Sequence, residues 1–107
     1  MLNELTEAVA VLDKMVETMK RRGQDYAKAK SEYEIAKAQR ILKYRDEGQP
    51  ATLTIDLVKG SPDVAKLRLD KDIAETLYRT VQEAIQTQKL KIRIMESQIQ
   101  REWGTTR

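Results

Sequence analysis

Paired carboxylates, at Asp46 and Glu47 and again at Asp70 and Asp72, are the first residues in this sequence with the makings of acid-base chemistry. Such a pair works when burial or a like charge pushes one carboxyl away from its usual pKa inside a concave site. Neither pair has a glycine-rich loop beside it, and the chain contains no His and no Cys. That composition removes histidine bases, cysteine nucleophiles, disulfides and the zinc sites built from either residue. The acids therefore read as exposed helix residues, and the sequence predicts no catalytic residue, no metal, no cofactor and no enzyme.

The second chemistry is phosphate binding. Lys20, Arg21, Arg22, Lys28, Lys30, Lys37 and Arg40, followed by Lys43 and Arg45, face only Asp25, Glu32 and Glu34 over residues 20–45. Lys and Arg neutralise a nucleic-acid backbone without reading its sequence, and Tyr26, Tyr33 and Tyr44 interleave with them where bases could stack. Single-stranded DNA is thus a candidate partner. The same band also reads as a solvated helix face with internal pairs such as Asp25 with Lys28 and Glu34 with Lys37, its Tyr26 and Tyr33 turned into a core.

The elements that must carry these residues follow from the chain breakers. Of 107 residues, 35% are charged, 40% apolar and only 5% aromatic, the profile of long helices and coiled coils. Gly48, Pro50, Gly60 and Pro62 crowd into one short stretch, leaving Gly23 and Gly104 as the other breakers. The sequence predicts a helix over 3–47, a connector over 48–61 and a second helix over 62–103. At 1.5 Å per residue the two helices come to roughly 68 and 63 Å. Matched lengths and a short connector give an all-α fold, a long antiparallel two-helix hairpin of coiled-coil type forming a single domain over 1–107.

The ends are signposted. Gly48 can enter the left-handed conformation and Pro50 cannot continue a helix. Ser61-Pro62-Asp63 offers an N-cap hydroxyl, a proline at the first helical position and a carboxylate near the positive end of the dipole. In the connector, Thr52 to Leu57 alternates as a strand would. Thr54 as N-cap, Asp56 in the first turn and Gly60 as stop instead describe a short helical turn at 55–59, with Ile55, Leu57 and Val58 plugging the hairpin's end. The helical turn is preferred, since a lone strand has no partner.

Leu2, Leu5, Val9, Leu12, Val16, Met19, Gly23 and Tyr26 alternate spacings of three and four, the seam of a coiled coil. That register runs on to Lys30, Lys37 and Arg40, so the seam is expected to shift to Ala29, Tyr33, Ala36, Ile41 and Tyr44 through a stutter near Gly23 to Lys30. On the second helix Ile73, Leu77, Val81, Ala84, Ile85, Gln88, Ile92, Met95, Ile99 and Trp103 share a face. Leu69, Leu90 and Ile94 fall on its far side, and Val11 leaves the seam of the first helix. Apolar positions beyond one seam predict contacts between chains, so a homo-oligomer is expected.

Charge supports the hairpin. Residues 1–19 carry a net −3, 20–45 +6, 46–85 −3 and 86–107 +3, so the acidic start of one helix would lie beside the basic end of the other. No apolar run approaches the roughly 18 residues of a membrane span, and the acidic start Met1-Leu2-Asn3-Glu4 lacks the features of a signal peptide.

Tyr26-Ala27-Lys28-Ala29 through Tyr44-Arg45-Asp46-Glu47-Gly48, then Val64-Ala65-Lys66-Leu67-Arg68 through Ile99-Gln100-Arg101-Glu102-Trp103, resembles a family of small helical early-region proteins of Gram-positive phages and prophages. Their genes lie near those for recombination and replication. The resemblance covers roughly residues 20–104 and implies a phage protein in the host-cell cytoplasm; the family has no established activity to transfer onto named residues. Two functions follow as expectations. One is a non-enzymatic accessory of DNA recombination or replication, holding single-stranded nucleic acid, a recombination protein or both. The other is a protein-binding module, either an inhibitor of a bacterial defence system or an assembly adaptor, with no membrane involved.

Overall fold

A computed structural model describes residues 2–105; Met1 of the acidic start, Thr106 and Arg107 lie outside the described residues. The described chain is helical, with α1 over Leu2–Asp46, α2 over Ala51–Gly60 and α3 over Pro62–Thr105, and no strand among the described residues. No helix is long and apolar enough to cross a membrane. The chain divides into two compact units. Unit 1 takes α1 up to Arg22 and α3 from Tyr78 on, while unit 2 takes residues 23–77.

Unit 2 is built on its turns. Gly48 has φ +82°, and its N–H bonds the Arg45 carbonyl while that of Gln49 bonds Tyr44, which closes the end of α1 with a left-handed glycine cap. Pro50 then opens α2, its carbonyl accepting from the N–H groups of Leu53 and Thr54. The expected turn at 55–59 is thus a ten-residue helix beginning ahead of Thr54. Thr54 is buried rather than capping, and its hydroxyl donates to the Pro50 carbonyl at 2.9 Å. Proline fixes φ near the helical range and supplies the first acceptor, so the start moves upstream of the threonine.

A single extended residue, Ser61, separates α2 from α3. Its carbonyl accepts the first bond of α3, from Ala65 at 2.8 Å, but its hydroxyl does not cap that helix. Ser61 is buried; its N–H goes to Val58, and its hydroxyl donates to the Leu57 carbonyl at 2.9 Å. The Tyr44 hydroxyl lies 3.1 Å from the same oxygen. Tyr33, Val58 and Val64 form the buried core here, with Ile41, Tyr44 and Leu67 packed against it. Ile55, expected among the plugging residues, is exposed, because the earlier start of α2 puts Thr54 and Val58 on its inner face instead.

Burial along α1 departs from the sequence seam at Leu2 and Val9. The buried or half-buried residues include Leu5, Ala8, Leu12, Met15, Val16 and Met19 in unit 1, and Tyr26, Ala29, Tyr33, Ala36, Arg40, Ile41 and Tyr44 in unit 2. With half-buried Arg22 between them, the spacing alternates three and four from Leu5 to Ala36; beyond it the covered face passes to Ile41 and Tyr44, both packed against the unit 2 core, while Lys43 and Glu47, next in the unshifted register, are exposed. Of the expected seam, Leu5, Leu12, Val16, Met19, Gly23, Tyr26, Ala29, Tyr33, Ala36, Ile41 and Tyr44 are buried or half-buried; the difference lies at Leu2 and Val9, which are exposed, with Ala8 taking the inward place beside Val9. Ala8 is 7% exposed and Val9 42%. A small residue is needed there because Gln88 Nε2 donates to the Ala8 carbonyl at 2.9 Å, an approach a branched side chain would obstruct.

On α3 the inward set is Val64, Leu67, Lys71 and Ala74 in unit 2, then Tyr78, Val81, Ile85, Gln88, Ile92, Met95 and Ile99 in unit 1. Ile73, Leu77, Ala84 and Trp103, expected on that face, are exposed. Lys71 takes the inward place by laying its ammonium over the Tyr33 ring, 5.0 Å from the centroid, so its methylenes serve as core while its charge meets the ring face. In unit 1, Leu2 shares a groove with Ile99 and Trp103, Ala8 meets Gln88, and Val11 to Thr18 lie beside Thr80 to Ala84. In unit 2, Tyr33 meets Lys71, Arg40 pairs with Asp63, and Tyr44 meets Ser61.

Candidate interaction surfaces

Helical register distributes the basic residues around α1 instead of along one stripe. Arg22 and Arg40 share the inward spacing and are half-buried, and Lys37 is half-buried beside them in sequence. Lys20, Arg21, Lys28 and Lys30 are exposed. Several are already engaged. Lys20 pairs with Glu17 at 3.4 Å, Arg40 forms a salt bridge with Asp63, and the Lys37 ammonium stands 5.8 Å from the Tyr33 centroid. Neither Asp25 with Lys28 nor Glu34 with Lys37 forms an ion pair, so of the seven candidate phosphate contacts Arg21, Lys28 and Lys30 are both exposed and outside these pairs. Tyr33 is buried, while Tyr26 and Tyr44 are half-buried.

The acid pairs are spoken for by neighbours or by solvent. Asp46 and Glu47 are exposed at the end of α1; Asp70 lies 4.0 Å from Lys66, and Asp72 pairs with Lys71 at 3.1 Å. The Asp72 hydrogen bond raises the Lys71 pKa above its ordinary 10.5; burial opposes this, and the charges of Asp72, Tyr33 and Glu75 add to it. Among the described residues no three acidic side chains gather as a metal site would require.

The apolar surface is the more extensive feature. Leu69 is 57% exposed, Leu90 54% and Ile94 49%, all on the outer side of α3, as their spacing implies. In unit 2 Ile35 and Leu42 of α1 and Leu53 of α2 are exposed as well. In unit 1 an open groove of about 320 Å³ runs between the helices, lined by Val11, Lys14, Met15, Thr18, Thr80, Val81 and Ala84. A second, of about 430 Å³, lies at Leu2, Ile99, Gln100, Trp103 and Gly104. The groove at Ala84 was hidden in the sequence because Ala84 reads as core; the usable sign is its seven-residue spacing from Leu77 and Lys91, off the inward set. No family model, curated protein or solved structure matches the chain.

Proposed function

We propose that the chain is a non-enzymatic interaction module: α1 and α3 pair as an antiparallel coiled-coil hairpin, and the outward apolar side chains bind further copies of the chain. The hairpin reading is supported by partner numbers that fall along α3 as they rise along α1 in each unit, and by three-four spacing of the inward residues on both helices. The observation that carries the association is the exposed apolar surface. Among the described residues thirteen large hydrophobic side chains are exposed, Leu69, Leu90 and Ile94 together on the outer side of α3. Single exposed apolar residues are normal on a protein surface, but neighbouring ones on one helix side, such as Leu90 and Ile94, mark a contact surface.

In the phage setting that the sequence resemblance implies, such a module serves recombination or replication as an assembly accessory, or occupies a host defence protein. Sedimentation velocity over a hundredfold concentration range tests the core of the proposal. The wild-type chain sediments above monomer mass, and Ile94→Glu together with Leu90→Glu moves it toward monomer. Each apolar side chain covered on association contributes roughly 1.5–3 kcal/mol, so two substitutions are ample. A monomer throughout the range refutes it.

A second reading, single-stranded DNA binding, is favoured by one observation: Lys28 and Lys30 are exposed and outside any ion pair. Under that reading the logarithm of affinity falls with the logarithm of salt at roughly −0.7 per phosphate contact. Charge reversal at both lysines makes the slope shallower in a gel shift, and no shift at low salt ends this reading.

A further inference from the structure

Within unit 1 the groove between α1 and α3 has a composition unlike the rest of the surface. Its lining includes one charged side chain, Lys14, in a chain that is 35% charged, and its walls are small or apolar at Val11, Thr18, Thr80 and Ala84. Helical spacing extends both walls. Seven residues before Val11 stands Glu4; seven after Ala84 stands Lys91, and Thr87 and Ile94 follow Thr80 at the same interval. Glu4, Lys91 and Ile94 are all exposed. One wall thus ends in an acid and the other in a base, at the same end of the unit, since Ala8 meets Gln88 and Leu2 meets Ile99.

We infer that this groove seats a second copy of the chain in parallel, so that α1 of each copy lies on α3 of the other and unit 1 becomes a four-helix layer. The inference rests on the self-association proposed above and names the surface and orientation. Charge selects the occupant: a parallel two-fold sets Glu4 of each copy against Lys91 of the other, while Val11 meets the Thr80 and Ala84 wall and Ile94 loses its exposure. Small side chains at Thr18, Thr80 and Ala84 let the added helices approach closely, as large ones would not. The arrangement is isologous and closes at two copies.

The chain has no cysteine, so single introduced thiols report contacts without background. Val11→Cys and Ala84→Cys proteins are prepared separately, checked for unchanged helical dichroism, mixed and oxidised. A mixed disulfide dimer is expected, with little from either protein alone and none from Gln86→Cys, which faces away from the groove. A dimer from Ala84→Cys alone overturns the arrangement, because it puts α3 on α3. An oligomer in sedimentation with no mixed disulfide overturns this seat and leaves self-association on another surface; a monomer overturns both.

Charge exchange gives an independent measurement with both substitutions on exposed residues. Glu4→Lys and Lys91→Glu should each raise the dimer dissociation constant about fivefold, the scale of an exposed ion pair. Mixing the two variants should restore wild-type affinity, since each mixed contact again pairs opposite signs. Equal weakness in the mixture overturns the proposed orientation.

Discussion

Replacing Ser61 by alanine separates two accounts of the corner between α2 and α3. If the hydroxyl capped α3, its loss would act on the first turn of that helix alone and Asp would substitute for Ser, the two being comparable caps. In the structure the hydroxyl donates to the Leu57 carbonyl and lies 3.1 Å from the Tyr44 hydroxyl. Its single proton is committed to Leu57, so Tyr44 is the donor of the second bond. Ser61→Ala therefore leaves the Leu57 carbonyl and the Tyr44 hydroxyl without this partner in a buried place, a loss of about 1–2 kcal/mol. Tyr44→Phe removes one neutral bond, about 0.5–1 kcal/mol. In the double variant the Tyr44 loss is already included, so the effects fall short of additive by about 0.5–1 kcal/mol. Ser61→Asp is destabilising as well, because its carboxylate would face a carbonyl in a buried site. Urea unfolding of the four members of the cycle at pH 7 measures the coupling. Additivity within about 0.3 kcal/mol, or an Asp variant as stable as wild type, refutes the shared hydroxyl contact.

The burial of Ala8 in place of Val9 makes an equally sharp distinction between adjacent residues. Ala8→Glu puts a carboxylate into a buried, closely approached position and should destabilise by about 3 kcal/mol or more, whereas Val9→Glu should stay within about 1 kcal/mol of wild type; thermal melting followed by dichroism ranks them. The Lys71 ammonium gives a pH signature. Because its folded pKa is raised by the Asp72 bond, its contribution is full below the unfolded value near 10.5 and is lost as pH rises through the folded value. Urea stability of the wild type should therefore fall more steeply above pH 10.5 than that of Lys71→Met, and parallel curves would count against the assignment.

The helical class, the stop at Gly48 and the start of α3 at Pro62 were legible because glycine and proline act on the backbone within a residue or two. The side of each helix that turns inward was less so. In the first turns of α1 Val9 competes with Ala8 for the inward place, and hydrophobicity alone favours the valine. What decides is the approach of Gln88, eighty residues away. Likewise Lys71 as an inward residue becomes sensible only once the Tyr33 ring lies beneath it, while Ile73 looks the better core residue in sequence. Ser61 marks the corner correctly, but the use of its hydroxyl depends on Tyr44, which no local pattern brings near. For the interaction surfaces, the outward placement of Leu69, Leu90 and Ile94 follows from spacing along one helix, whereas the groove at Ala84 requires both walls.

The distance in sequence between contacting residues orders how the chain comes together. Tyr44 and Ser61 are 17 residues apart, while Ala8 and Gln88 are 80. Closing the longer loop first costs about 1.4 kcal/mol more chain entropy, so unit 2 should nucleate and unit 1 zip onto it afterwards. During synthesis the separation becomes a delay. About 55 residues must be added between the first part of unit 1 and the start of the second, roughly 3–11 s at cellular elongation rates. Through that interval Leu5, Leu12, Met15 and Met19 have no intrachain cover. Neighbouring ribosomes on one message would then hold several such segments close together, so the self-association proposed above, if it forms, would start before any one chain is finished.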